Sequence, residues 1–169
     1  PGVPRGSIVG LRDPQGWLAD PAEAPDPVRK ALIFIGLAPD ESSNHLIKRV
    51  IGLPGDHVKC CDAQGRITVN GQPLDESGYL FSENGETVAP SDFPFDVIVP
   101  KDRIWVMGDH RSASADSRSQ MGKPGGGMVP LDDVVGRAWV RYWPLDRLGS
   151  LTPAPTLHDL PLPTGAAPS

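Results

Sequence analysis

Apolar and polar residues alternate along short stretches of the chain, and each stretch stops at Pro, Gly, Asn or Asp. A period of two places successive side chains on opposite faces of a strand. The pattern predicts strands over residues 7–11, 45–52, 58–61, 66–69, 97–99, 104–107 and 134–143. Asn70-Gly71 follows the fourth of these, a pair suited to a tight hairpin turn because both residues tolerate positive φ. Residues 28–37 are apolar without a clear period and fit a helical turn or a strand equally. Segments 16–27, 39–44, 80–94 and 108–130 read as loops. The fold class expected is mainly β with long connections.

Composition supports this. Twenty Pro and nineteen Gly in 169 residues punctuate the chain too often for long helices. From Pro144 onward Pro recurs with little charge, so 149–169 reads as a Pro-rich disordered tail. The net charge of −5 comes without a basic stripe, which argues against a nucleic-acid partner. No apolar run reaches 18 residues and no signal peptide opens the chain. Cys60 and Cys61 are adjacent. They can close a vicinal disulfide, but two buried thiols is the expectation preferred. His45, His57 and His158 lack metal-ligand spacing, so neither a metal nor a cofactor is expected.

Two segments concentrate chemistry. In Leu46-Ile47-Lys48-Arg49-Val50-Ile51, alternation puts Lys48 on one face with Leu46 and Val50, and Arg49 on the other with Ile47 and Ile51. Both faces read as largely buried. Lys48 then either snorkels or pairs with a carboxylate, or is desolvated so that its amine loses its proton readily and serves as a base. The second segment, 108–118, packs two acids, two arginines, a histidine and three serines behind an apolar strand. It is a loop tied by its own hydrogen bonds or a solvated polar loop. A Ser/His/Asp relay among such close neighbours is disfavoured, because that triad is a matter of geometry.

Together these segments resemble the type I signal peptidases, Ser/Lys serine proteases. Ile47-Lys48-Arg49-Val50-Ile51-Gly52-Leu53-Pro54-Gly55-Asp56 is similar to the family's lysine motif. Residues 108–118 are similar to its Gly-Asp-Asn-Arg…Ser…Asp-Ser-Arg motif, and Arg5-Gly6-Ser7-Ile8-Val9 to its Arg-Gly-Asp strand. The double cysteine and the 17–44 insertion resemble the actinobacterial branch. The resemblance implies an antiparallel β catalytic domain over 1–57 and 102–148, with a small β insertion over 58–101. It implies an endopeptidase that removes signal peptides from exported preproteins at the outer face of the cytoplasmic membrane. Lys48 matches the general base and Ser114 the serine that orients it. Arg49, Asp109, Arg111, Asp116 and Arg118 match the supporting polar network.

The chain departs from the family in three places. The nucleophile's Ser-Met-x-Pro motif is absent, since Met107, Met121 and Met128 are not preceded by serine. The expectation is that the nucleophile and an N-terminal membrane anchor belong to an upstream segment, and that the chain alone is inactive. Ser7 replaces the usual acid and is not read as the nucleophile. His110 and Ala113 replace commoner polar residues. Two other readings stay open: a non-catalytic peptide-binding relative on the same scaffold, and a self-cleaving repressor-type Ser/Lys protease, which the 108–118 loop fits poorly.

Overall fold

The computed structural model describes residues 2–14, 16–17, 45–83, 85–141, 149–151, 153–161 and 163. The expectations for 28–37 and 39–44, most of the 17–44 insertion and the end of the last strand lie outside the described residues. In chain order the strands are β1 (Ile8–Arg12), β2 (His45–Gly52), β3 (His57–Cys60), β4 (Ile67–Val69), β5 (Gln72–Pro73), β6 (Ser82–Glu83), β7 (Glu86–Thr87), β8 (Phe95–Ile98), β9 (Arg103–Met107), β10 (Val129–Pro130), β11 (Val134–Arg137), β12 (Val140–Arg141) and β13 (Gly149–Ser150). One short helix, α1, spans Pro155–His158. The fold is mainly antiparallel β, as the alternation predicts.

A five-stranded sheet runs β10-β9-β2-β1-β11, and a four-stranded sheet runs β5-β4-β3-β8. Strand β2 sits at the centre of the larger sheet, with Val9 opposite Lys48 and Met107 opposite Arg49. Alternation sorts its side chains. Leu46 and Val50 join Val9, Leu11, Ile104 and Val106 in one apolar cluster. Ile51 joins Trp105 and Met107 in the other. That second cluster also takes Val58, Ile67, Val69 and Phe95 from the smaller sheet. The second cluster is therefore shared by the two sheets, and the first lies on the other face of the larger one.

The hairpin turn after β4 forms at Asn70-Gly71, with φ of 52° and 79°, and Val69 faces Gln72 across it. The expected 80–94 loop contains the small ribbon β6–β7. The 108–130 loop carries 3-10 turns at Arg111–Ala113 and Ser117–Gln120, then β10. The strand expected over 134–143 breaks between β11 and β12.

Three expectations need correction. Residues 149–151 and 153–161 are not a disordered tail: β13 pairs with β12, and Ala154 and Leu157 are buried in the shared core. The apolar residues spaced among the prolines supply the docking surface that composition alone conceals. Cys60 and Cys61 are disulfide-bonded, not two free buried thiols. Finally, the Arg49 face of β2 is buried only from Arg49 onward. Ile47 is 71% exposed because its cross-strand neighbour is Gly10, which offers no side chain to cover it. Among the described residues, no helix is long and apolar enough to cross a membrane.

Candidate active site

Strand β2 carries Lys48 on the face shared with Leu46 and Val50. The side chain is half-buried, and its Nζ donates to Ser114 Oγ over 2.8 Å. Among the described residues no carboxylate forms an ion pair with it. Of the alternatives the sequence allows, the carboxylate pair is not formed among the described residues. Burial lowers the Lys48 pKa; the nearby Asp116 opposes that shift and Arg118 adds to it. Accepting one N–H at Ser114 fixes the rotation of the amine and leaves its remaining positions directed elsewhere.

Ser114 is held by the folding of the loop back on Gly108. A methyl group on Gly108 would lie 2.1 Å from Ser114 Oγ and 2.5 Å from its Cβ. Only glycine leaves room for the serine there. Asp116 is fully buried and accepts from Gly108 N at 2.9 Å. It also takes a bidentate pair from Arg118 at 2.9 and 2.8 Å, and caps the following turn through Arg118 N. Arg118 goes on to donate to Arg111 O at 2.8 Å, and Arg111 Nε donates back to Gly108 O at 3.0 Å. Ser117 Oγ accepts from Val106 N, which ties the loop to β9. The loop is rigid through its own polar contacts, the first of the two alternatives the sequence allows.

Arg49 projects to the opposite face of β2. It is 6% exposed and pairs bidentately with Asp109 at 2.7 and 2.6 Å, with a third bond to Gly6 O. The structure thus brings Lys48 and Ser114 together on one side of the strand, and Arg49 and Asp109 on the other. A cleft of about 530 Å³ opens on the Arg49 side, lined among others by Ile8, Tyr79, Asp109 and Ala154; neither Lys48 nor Ser114 lines it. Ser7 is buried with its hydroxyl unpartnered among the described residues. His110 lies against the Phe81 ring, centroids 4.3 Å apart.

Two residues outside both motifs complete the network. Glu76 binds Arg111 through both carboxylate oxygens, at 2.5 and 3.1 Å. It also accepts the Tyr79 hydroxyl at 2.6 Å. The Tyr79 ring in turn lies 4.2 Å from the Arg49 guanidinium carbon. Burial and the adjacent Glu76 carboxylate push the Tyr79 pKa far above its ordinary value, so the hydroxyl stays protonated. No local pattern announces either residue, since each acts across a long sequence separation.

The chain is also similar to known proteins. The family model described as "Signal peptidase, peptidase S26" matches residues 2–143. "Probable signal peptidase I" of Mycobacterium leprae is 41% identical over 142 residues, covering 73% of this chain and 48% of that protein. "Signal peptidase I" of Mycobacterium tuberculosis is 38% identical over 162 residues, covering 85% and 53%. The chain therefore spans about half the length of these curated relatives. In fold it resembles the crystal structure of a signal peptidase I from Enterococcus faecalis. The TM-score is 0.50 at 21% identity, over 81% of this chain and 97% of that one.

Proposed function

The chain belongs to the signal peptidase family, and we propose that it carries the general-base half of a Ser/Lys endopeptidase that removes signal peptides from exported preproteins. One observation carries the reading. A partly desolvated lysine amine, with no carboxylate in an ion pair with it among the described residues, is aimed by a hydroxyl 2.8 Å away. Burying an ammonium without a paired charge costs stability. A lowered pKa leaves more of the amine neutral and able to accept a proton.

In the proposed reaction, neutral Lys48 Nζ takes the proton of a serine hydroxyl as its oxygen attacks the scissile carbonyl. The resulting ammonium returns that proton to the leaving amine, and water then releases the acyl group. No Ser-Met-x-Pro motif occurs within these 169 residues, so the reading assigns the base and its orienting partner and leaves the attacking serine unassigned. Ser114 orients the base. Arg49, Asp109, Arg111, Asp116 and Arg118 hold the base and its partner in register. The site would work at the outer face of the cytoplasmic membrane.

The test uses the full-length protein and a peptide containing a signal-peptide cleavage site. Lys48→Ala is expected to abolish cleavage with the fold retained by circular dichroism. Ser114→Ala is expected to lower kcat by a smaller factor, on the order of 10–100-fold. Near-wild-type cleavage by Lys48→Ala rejects the assignment. A wild-type protein that binds the peptide without cutting it rejects the enzyme reading altogether.

A further inference from the structure

Glu76 lies outside every motif that points to the site. It sits between β5 and β6, in the segment expected to be a β insertion, and is 5% exposed. A buried carboxylate must be paired to be tolerated, and here both oxygens are engaged. Its partners are informative. Arg111 receives the bidentate contact, and Arg111 Nε holds Gly108 O, the residue against which Ser114 packs. Through Tyr79 the same carboxylate reaches the guanidinium of Arg49, the chain neighbour of Lys48. One carboxylate thus braces the loop that carries Ser114 and the strand that carries Lys48. Further ties join the same pieces: Arg111 and Arg118 both donate to Pro90 O, and Phe81 N donates to Asp109 O.

We infer that Glu76 is a positioning residue for the Lys48–Ser114 pair, acting through Arg111 and Tyr79. This rests on the reading of Lys48 as the base. The insertion is on this account part of the catalytic apparatus and not an independent appendage. Glu76 touches neither reacting atom. Its loss acts on the chemical step and leaves peptide binding largely intact.

The experiment is a double-mutant cycle in the full-length protein, reading kcat and KM separately on the signal-site peptide. Glu76→Gln is expected to lower kcat on the order of 10-fold, with KM within about twofold. In the Ser114→Ala background the same substitution is expected to cost nothing further, because the geometry it supports is already gone. Independent, multiplying losses overturn the inference, and so does a wild-type kcat for Glu76→Gln. Should Glu76→Gln leave Arg111 unpaired and the protein unfolded, Glu76→Asp keeps the charge while shortening its reach. It is then expected to show the same non-additivity with a smaller loss, and a wild-type kcat would again overturn the inference. Lys48→Ala is run alongside. If it retains activity, the underlying reading fails; if it is dead while Glu76→Gln is normal, only the positioning role fails.

Discussion

Replacing Gly108 by alanine perturbs the site with a single methyl group. The Gly108 backbone lies outside the left-handed region, so alanine meets no conformational obstacle of its own. The obstacle is Ser114. The new carbon would sit 2.5 Å from Ser114 Cβ and 2.1 Å from Oγ. Carbon atoms pack best at roughly 3.5–4.0 Å, so the serine must retreat by about 1 Å. It has little freedom to do so, because Asp116, Arg111 and Arg118 stitch the loop on both sides of it. Overpacking of this kind costs about 1–3 kcal/mol of stability. A shift of about 1 Å in a positioning group costs on the order of 100-fold in rate. The expected outcome in the full-length protein is therefore a kcat at or below that of Ser114→Ala, with a modest fall in the unfolding midpoint. Peptide cleavage and thermal denaturation read the two effects separately. Wild-type kcat in Gly108→Ala would refute the claim that the Lys48–Ser114 contact sets the rate. A large loss of stability with the rate per folded molecule unchanged would refute it equally.

Further outcomes can be checked on the chain itself. Burial lowers the Lys48 pKa below its ordinary 10.5, so the unfolded chain binds that proton more tightly than the folded one. The penalty is full below the folded pKa and fades as pH rises toward 10.5. Relative to Lys48→Met, the wild type is expected to gain stability over that window in denaturant titrations at stepped pH; a flat difference would rule out desolvation of the lysine. Leu157→Ala removes a fully buried side chain from α1 and is expected to cost about 2–5 kcal/mol. An unfolding midpoint equal to wild type would mean that the segment is not docked.

What the sequence revealed depended on how local the determining interaction is. Strand β2 is legible to the residue, because its alternation is regular and Leu53-Pro54-Gly55-Asp56 stops it. The Asn70-Gly71 turn is legible because two adjacent residues supply both positive φ angles. Ile47 was misplaced because its burial depends on the cross-strand neighbour, and that neighbour is a glycine. The docking of residues 153–161 is not legible because proline content masks the few apolar residues, Ala154 and Leu157 above all, that seat them. The approach of Lys48 to Ser114, across 66 residues, was legible only through the resemblance of two motifs. Glu76 is invisible in the sequence, since it lies outside both motifs and its ion pair with Arg111 spans 35 residues.

The contacts of Arg5 bear on how this protein is handled at the bench. Its guanidinium forks onto the buried Asp56 and reaches past it to the carbonyls of Leu160 and Pro161. Asn70 donates to the same Asp56 and the same Pro161. The turn before β1, the β2–β3 turn, the hairpin tip and the segment after α1 are thus latched at one point. A fragment trimmed at the proline-rich stretch, where composition invites the cut, would discard the far half of that latch and unroof the pocket filled by Leu157. Expression boundaries, affinity tags and fusion partners therefore belong beyond Pro161.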